Sequence, residues 1–213
     1  MLDIKIKICG IKNTAILDCC DKLSVDYCGL IFYKKSPRSI DVQTASNLIN
    51  YLKKKKSIPV GVFVNYDFYD LIDLIKILNL KYIQLHGNEN NDYISRLKDK
   101  KNLTIIKAIG IQSKNDLQQI ELYSQADFFL FDYKSKKNEL PGGNAKLFNW
   151  SILKNINITK PWFISGGINK NNINELLENL IPYGIDISSG VEDQPGIKNT
   201  NKINEIVKII NDQ

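Results

Sequence analysis

The sequence has few of the residues that build metal centres and disulfide frameworks. Its 213 residues include one histidine and four cysteines, and no two cysteines have the Cys-x-x-Cys spacing. A structural zinc site needs four suitably spaced Cys or His ligands, and a disulfide framework needs paired cysteines. We therefore expect neither a metal site nor structural disulfides, and the adjacent Cys19 and Cys20 are expected to be small residues of a helix.

Long apolar runs are also missing. No segment approaches the roughly 20 apolar residues that cross a bilayer, and residues 1–10 lack the apolar core of a secretory signal. We therefore expect a cytoplasmic protein with no membrane partner. Its length is sufficient for one well-filled hydrophobic core.

Positive charge exceeds negative charge, and the formal net charge is +6. The lysines are dispersed, and the one dense run, Lys53–Lys56, is predicted to close a helix, where cations complement the helix dipole. No aromatic residues alternate with that run, as base stacking would require. We therefore expect no nucleic-acid partner and attribute the charge to the attraction of a small anionic substrate.

Strand-like and helix-like runs alternate along the whole chain. Helical spacing of apolar residues is clearest over 70–78 and 174–180. Repeated βα units predict a parallel sheet, and eight of them usually close into a barrel. Because no linker-like segment interrupts the pattern, we predict an α/β chain that forms one (β/α)8 TIM-barrel domain over residues 1–213. The predicted strands are 4–9, 26–32, 59–64, 81–86, 103–109, 127–132, 161–165 and 184–188.

Two glycine clusters follow the predicted seventh and eighth strands. They are Ser165-Gly166-Gly167-Ile168 and Ser188-Ser189-Gly190-Val191, and each precedes a segment with helical spacing. A strand that opens into glycine before a helix presents unpaired backbone N–H groups, which can bind phosphate. Either cluster alone would also fit a tight turn. As a pair after strands seven and eight, they indicate the phosphate site of a β/α barrel.

Alternation along the strands predicts a group of polar side chains inside the barrel. In the first strand the isoleucines should pack under the helices, so that Lys7 and Cys9 face the interior. The same parity turns inward the side chains of Gln84, His86, Asp132, Asp186 and Ser188. Burial of polar groups without partners is unfavourable. A polar ring at the carboxyl ends of barrel strands therefore indicates the active site of an enzyme.

Cys9 and Asp132 are the natural acid–base pair. A thiol is a useful base only as the thiolate, and Lys7, one inward step below, supplies a charge expected to lower the pKa of Cys9. Cys9 could instead be a small buried hydrophobic residue. Asp132 ends an apolar strand, where desolvation can keep a carboxylic acid protonated near neutrality, and its alternative role is to cap the following loop.

Arg38 and His86 each allow two interpretations. Arg38 follows Pro37 on the loop after the second strand, where its planar fork would suit a carboxylate, and the alternative is a surface arginine. His86, at the end of the fourth strand, is either a base or a structural histidine with satisfied hydrogen bonds. The polar segment 133–146 contains Gly142 and Gly143 and is predicted to be a mobile active-site loop.

Several strings of this sequence together resemble one family, the phosphoribosylanthranilate isomerases of tryptophan biosynthesis. They occur in that family's order and span nearly the whole chain, and the ordered set is far more specific than any single string. The strings are Lys7-Ile8-Cys9-Gly10, Ser36-Pro37-Arg38, Gly61-Val62-Phe63-Val64-Asn65, Gln84-Leu85-His86-Gly87, Phe131-Asp132, Gly142-Gly143 leading to Phe148-Asn149-Trp150, Ser165-Gly166-Gly167, and Asp186-Ile187-Ser188-Ser189-Gly190-Val191-Glu192.

The resemblance implies an Amadori rearrangement of N-(5-phosphoribosyl)anthranilate to 1-(2-carboxyphenylamino)-1-deoxy-D-ribulose 5-phosphate. It implies that Asp132 is the general acid that protonates the ribose ring oxygen, and that Cys9 is the general base that removes the proton from C2. Arg38 matches the family residue that meets the anthranilate carboxylate. The residues expected to bind substrate are Arg38, His86, Asp186, Gly142, Gly143, Gly166, Gly167, Ser189 and Gly190. No metal and no cofactor is implied, and both a monomer and a homodimer remain open.

The loop after the sixth strand departs from the family pattern. Asn144 and Ala145 stand where the family usually has Ser or Thr and then Gly, and Asn149 replaces an aspartate. If position 145 requires a positive φ, alanine adds about 1 kcal/mol of strain relative to glycine.

Two alternative functions stay open on the sequence. One is a phosphate-binding barrel with other chemistry, such as a sugar-phosphate lyase or an indole-glycerol-phosphate synthase. The synthase should have a lysine acid and strand glutamates, an arrangement that Lys5, Lys7 and Lys107 do not make. The other is a catalytically inactive barrel that binds a phosphorylated metabolite, which should lack Cys9 or Asp132.

Overall fold

A computed structural model describes residues 3–136, 138–154 and 156–212. Eight parallel strands form a closed barrel in which each strand pairs with the next and the eighth pairs with the first. Each predicted strand is confirmed, and every strand end lies within about two residues of its prediction. The strands are β1 (Lys5–Cys9), β2 (Tyr27–Ile31), β3 (Ile58–Phe63), β4 (Tyr82–Leu85), β5 (Thr104–Ile111), β6 (Phe128–Tyr133), β7 (Trp162–Ile164) and β8 (Gly184–Ile187).

Helices surround this barrel. They are α1 (Thr14–Lys22), α2 (Val42–Leu52), α3 (Phe68–Leu78), α4 (Asn91–Lys100), α5 (Ile173–Asn179) and α6 (Thr200–Asn211). Several begin at an Asn or Asp whose side chain accepts a hydrogen bond from a backbone N–H of the first turn, as Asp41 does for α2. The two predicted apolar stripes lie in α3 and α5. None of the helices within the described ranges is long and apolar enough to span a membrane.

The regular alternation of strand and α-helix fails at two connections. A 3₁₀ helix, Lys114–Leu122, follows β5, and a shorter one, Trp150–Leu153, follows β6. Within 114–122 the apolar Leu117 and Ile120 are only partly buried, so little packing energy supports a full α-helix there. The lysine run was also predicted wrongly, because α2 ends at Leu52 and the lysines follow it in a turn.

The barrel interior is divided between an apolar and a polar half. Inward-facing residues near the amino ends of the strands form a separate apolar cluster, in which the rings of Tyr27 and Phe163 pack edge to face with centroids 5.5 Å apart. The larger core lies between strands and helices and contains Ile6 and Ile8, as the predicted parity requires. The polar side chains are thereby confined to the carboxyl ends of the strands.

An antiparallel hairpin follows β8 and was not predicted. A short 3₁₀ helix, Ser189–Val191, leads into β9 (Glu192–Gln194) and β10 (Ile197–Lys198), and α6 comes after them. Gly196 turns the hairpin with φ +86°, and a Cβ there would lie 2.5 Å from the carbonyl oxygen of Pro37. The hairpin therefore packs tightly against the loop that carries Arg38.

Candidate active site

A cavity of about 520 Å³ opens at the carboxyl ends of the strands. Its wall brings together residues from seven of the eight strands or the loops that follow them. The sequence-predicted residues that line it are Cys9, Arg38, Gln84, His86, Asp132, Gly142, Gly143, Asp186 and Ser188.

Cys9 is the last residue of β1 and is 5% exposed. Its sulfur fits because the facing residue on β2 is Gly29, where a Cβ would lie 2.6 Å from Sγ. Burial raises the pKa of the Cys9 thiol above its ordinary value, and the opposing effects of Lys7 and Lys198 are smaller. The expectation that Lys7 leaves this thiol with a lowered pKa is therefore wrong for the free protein.

Lys7 also has a carboxylate partner of its own. Its Nζ donates to Oδ1 of Asp186 at 2.8 Å, between the paired strands β1 and β8. Burial lowers the pKa of Lys7, but the charges of Asp186 and Cys9 outweigh it, so the net shift is upward and Lys7 remains an ammonium. The negative charge of Asp186 acts on Cys9 as well and offsets part of the effect of Lys7.

Asp132 lies near the end of β6 and is 4% exposed. Its Oδ1 accepts the backbone N–H of Tyr133 at 2.7 Å, and its Oδ2 lies 3.3 Å from Nε2 of His86. The other ring nitrogen of His86, Nδ1, lies 2.7 Å from Nε2 of Gln84. Asp132 therefore stands across the cavity from β1 with each carboxyl oxygen next to a nitrogen atom.

Arg38 is not the surface arginine of the alternative interpretation, since it is 4% exposed. Its Nε and Nη2 donate to the two carboxylate oxygens of Glu192 at 2.9 and 2.7 Å. Lys198 donates to the same carboxylate at 2.6 Å. Burial alone would raise the pKa of Glu192, but Arg38 and Lys198 hold it below its usual value, so the carboxylate stays charged.

The sequence analysis missed the positions of Glu192 and Lys198 in the site. Both belong to the hairpin, and the Pro195-Gly196 dipeptide between them is a turn signal that could have revealed it. The third guanidinium nitrogen of Arg38, Nη1, donates to none of the residues that the structure describes. It faces Gly143, where a Cβ would lie 2.5 Å from it.

The loop after β6 covers the cavity. Leu140, Pro141, Gly142 and Gly143 line it, and Gly142 has φ +79°. Asn144 supports this conformation, because its side-chain amide donates to the carbonyl oxygen of Leu140 at 2.7 Å and to a serine hydroxyl at 2.9 Å. The mobility of the loop stays a prediction, and one residue of the predicted segment, number 137, lies outside the described residues.

The two other departures from the family pattern have different consequences. Ala145 has φ +55°, a positive angle at which alanine is strained relative to glycine, as the sequence analysis expected. Asn149 caps the 3₁₀ helix Trp150–Leu153, where its side chain accepts the N–H of Ser151 at 3.0 Å. Because asparagine and aspartate are equally good N-caps, this substitution costs little.

The two glycine clusters lie in contact with one another. Gly166 and Gly167 have φ +91° and +64°, and a Cβ on Gly190 would lie 1.9 Å from the carbonyl oxygen of Ile168. The backbone N–H groups of Gly166 and Gly167 donate to none of the described residues, which leaves them available to an anion. Only a three-residue 3₁₀ turn follows Ser188, so backbone N–H groups rather than a long helix dipole supply the second half of this cradle.

These features define a class. A closed (β/α)8 barrel that combines a thiol, a carboxyl, a buried arginine and a backbone anion cradle at one mouth is an enzyme of small phosphorylated molecules. The model of the family described as N-(5'phosphoribosyl)anthranilate (PRA) isomerase matches residues 6–209. The chain belongs to this family and is an isomerase of tryptophan biosynthesis, so the lyase and synthase alternatives are wrong.

Individual relatives are similar over nearly their whole length. An N-(5'-phosphoribosyl)anthranilate isomerase from Thermoanaerobacter pseudethanolicus is 38% identical over 205 residues, 96% of this chain and 97% of the relative. One from Agrobacterium fabrum is 36% identical over 210 residues, 97% of this chain and 94% of the relative.

Solved structures agree with the fold. The phosphoribosyl anthranilate isomerase from Thermotoga maritima has a TM-score of 0.88 and 29% identity, and covers 99% of this chain and 100% of its own. A phosphoribosyl anthranilate isomerase in complex with reduced 1-(o-carboxyphenylamino)-1-deoxyribulose 5-phosphate has a TM-score of 0.85 and 28% identity, with the same coverage. The predicted (β/α)8 barrel is thereby confirmed.

Proposed function

We propose that this chain converts N-(5-phosphoribosyl)anthranilate to 1-(2-carboxyphenylamino)-1-deoxy-D-ribulose 5-phosphate with Asp132 as general acid and Cys9 as general base. The observation that carries the assignment of roles is that this thiol and this carboxyl line one cavity from different strands. Arg38 and the glycine cradle supply the cationic and N–H donors that a substrate with an anionic group at each end requires.

The acid step opens the ribose ring. Asp132 gives its proton to the ring oxygen as the bond from C1 to that oxygen breaks, and the lone pair of the anilino nitrogen forms the C1=N bond of a Schiff base. Asp132 is left as a carboxylate, which the N–H of Tyr133 already contacts at Oδ1. A hydrogen-bond donor to a charged group stabilises it more than one to a neutral group.

The base step forms the product. The thiolate of Cys9 removes the proton from C2, and the electron pair forms a C1=C2 bond while the C1=N pair returns to nitrogen. The resulting enolamine tautomerises to the ketone. The ammonium groups of Lys7 and Lys198 stabilise the thiolate, and their influence opposes that of burial.

Binding both ends of the substrate would fix its reacting carbons between Cys9 and Asp132. We assign the carboxylate to Nη1 of Arg38 and the phosphate to backbone N–H groups of the glycine clusters. Substrate-contacting positions in the proposal are Arg38, His86, Gly142, Gly143, Gly166, Gly167, Asp186, Ser189 and Gly190. Such positioning lowers the reaction barrier because the substrate has already lost its translational and rotational entropy on binding.

The proposal extends to the whole chain. Residues 1–213 form one domain that acts in the cytoplasm on a small phosphorylated substrate, without a cofactor and without a nucleic-acid partner. A Thermotoga maritima structure with 27% identity to this chain is described as a monomeric form of a dimeric phosphoribosylanthranilate isomerase. A homodimer therefore stays open beside a monomer.

The test follows the fluorescence of N-(5-phosphoribosyl)anthranilate, which is lost on conversion, after addition of the purified protein without metal or cofactor. We expect turnover by the wild type, and a decrease of about 10²- to 10⁴-fold in Cys9→Ala and in Asp132→Asn. Cys19→Ala and Asp73→Asn are matched controls on the outer helices and should retain full turnover. An inactive wild type would support the non-catalytic barrel instead, and near-normal turnover in either site variant would remove that residue from its role.

A further inference from the structure

We propose that His86, oriented by Gln84, is a positioning residue that holds Asp132 and stabilises its carboxylate after proton transfer. The proposal rests on the proposed function, because it concerns the residue to which we assign the acid step. It is carried by a chain of contacts from Gln84 through His86 to Asp132 along the cavity wall.

We infer the tautomer of His86 from the first contact. Gln84 is 1% exposed, and its Nε2 lies 2.7 Å from Nδ1 of His86. An amide nitrogen can only donate, so Nδ1 must accept. The neutral ring therefore carries its proton on Nε2, which lies 3.3 Å from Oδ2 of Asp132. Gln84 thereby sets the tautomer in which His86 donates to Asp132.

Packing around the ring keeps this second contact in place. The backbone N–H of His86 donates to the carbonyl oxygen of Phe63 at 2.8 Å, which fixes the end of β4 against β3. Gly142 lies over the contact, since a Cβ there would be 2.9 Å from Nε2 of His86 and 3.1 Å from Oδ2 of Asp132. The loop thereby covers the contact, and a hydrogen bond from Nε2 to Oδ2 is strengthened where the dielectric constant is low.

The arrangement serves both protonation states of Asp132. While Asp132 holds its proton on Oδ2, that oxygen can donate to the ribose ring oxygen and still accept from His86 with a lone pair. After the proton has passed to the ring oxygen, the N–H of Tyr133 remains on Oδ1, and Nε2 of His86, 3.3 Å from Oδ2, faces the new carboxylate. His86 neither gains nor loses a proton in this step, so it acts by orientation and charge stabilisation.

Gln84 also has a side-chain oxygen that can contact the substrate in the same cavity. Its Oε1 is buried and accepts no hydrogen bond from any residue in the described part of the chain. Because Gln84 lines the cavity, this oxygen can accept a hydroxyl or amine hydrogen of the bound substrate. The amide would then link substrate binding to the orientation of His86.

The first test exploits the fact that His86 is the only histidine in the chain. In untagged protein labelled with ¹⁵N-histidine, the NMR spectrum contains a single imidazole, recorded at about pH 8.5, where histidine is neutral. We expect the proton on Nε2 in the wild type and a loss of that preference in Gln84→Met. A proton on Nδ1 in the wild type would overturn the proposal.

The second test compares two substitutions of His86 by amide side chains of different length. The side-chain amide of His86→Gln places a donor near the position of Nε2, whereas that of His86→Asn places one near Nδ1. We expect His86→Asn to lower kcat by about 10- to 100-fold, the value of a hydrogen bond to a charged group, with little change in KM. His86→Gln should recover most of the loss. Equal kcat in both variants, or a change in KM alone, would contradict the positioning role.

Assays of Asp132→Asn in the same series separate the two proposals. If Asp132→Asn is as active as the wild type, the assignment of the acid itself fails. If it is inactive while both His86 variants are fully active, only the positioning role fails. Thermal unfolding of each variant checks that it folds, and the NMR measurement on the wild type does not depend on any variant.

Discussion

Charged side chains at the barrel mouth are held by other charged side chains from distant parts of the sequence. Lys7 pairs with Asp186, and Glu192 pairs with both Arg38 and Lys198. Strand parity predicts that Lys7 and Asp186 point inward, and their placement was predicted from sequence alone. Their pairing was not, because it depends on the register in which β1 meets β8 across 179 residues of chain.

The burial of Cys9 has a consequence for the pH dependence of the reaction. Burial raises the pKa of Cys9, so the thiolate fraction in the free enzyme is small at neutral pH and grows as pH rises. We expect kcat/KM to increase with pH through neutrality, with no plateau below about pH 8.5, the ordinary pKa of a thiol. Steady-state kinetics across this range measures it, and a plateau at pH 7 would contradict it.

A charge variant tests the electrostatic contribution to that shift, which is smaller than the effect of burial. The groups that act on Cys9 are Lys7, Asp186 and Lys198, and among them only Asp186 raises the pKa of the thiol. Asp186→Asn should therefore move the rising limb of the kcat/KM profile to lower pH. Asp73→Asn, exposed on α3, is the matched control and should leave the profile unchanged.

At the scale of elements, the strands follow directly from short apolar runs and glycine punctuation, whereas the connections do not. The eight strands were predictable because a strand buried on both faces reads as a short, nearly continuous apolar run, as in β6 and β7. The 3₁₀ helices after β5 and β6 and the hairpin after β8 were not, since short segments with few apolar residues have no periodicity to detect.

The loop after β6 allows a prediction about backbone strain. Ala145 has φ +55°, whereas glycine adopts such angles without a steric cost. We expect Ala145→Gly to stabilise the protein by about 0.5 to 1 kcal/mol, because the relief of strain exceeds the entropy that glycine adds to the unfolded chain. Urea unfolding measures the change in free energy.

An alanine in ordinary helical conformation provides the control. Ala15 is exposed in α1, and Ala15→Gly should destabilise the protein by up to about 1 kcal/mol. Opposite signs for the two substitutions would therefore separate local strain from the general effect of glycine. If both variants are destabilised alike, Ala145 is not strained in solution.

At the scale of the whole molecule, the barrel is closed by the pairing of β1 with β8, and the buried ion pair of Lys7 and Asp186 lies at that junction. Lys7→Met leaves the Asp186 carboxylate buried without its partner. We expect a loss of about 3–5 kcal/mol in the free energy of unfolding, the usual cost of breaking a buried pair from one side. Urea unfolding followed by circular dichroism measures this loss.

The double variant Lys7→Met with Asp186→Leu removes both charges at once. It should recover most of the lost stability, since an apolar pair of similar volume often replaces a buried ion pair without cost. A double variant as unstable as Lys7→Met alone would show that packing rather than charge explains the loss.

The hairpin after β8 determines the order in which the site becomes complete during synthesis. A nascent chain that ends just before residue 192 already contains the proposed acid, the proposed base and both halves of the anion cradle. It lacks the carboxylate that holds the guanidinium of Arg38, which comes from 154 residues further along the chain. The partner that fixes Arg38 is thus synthesised after every residue that lines the cavity.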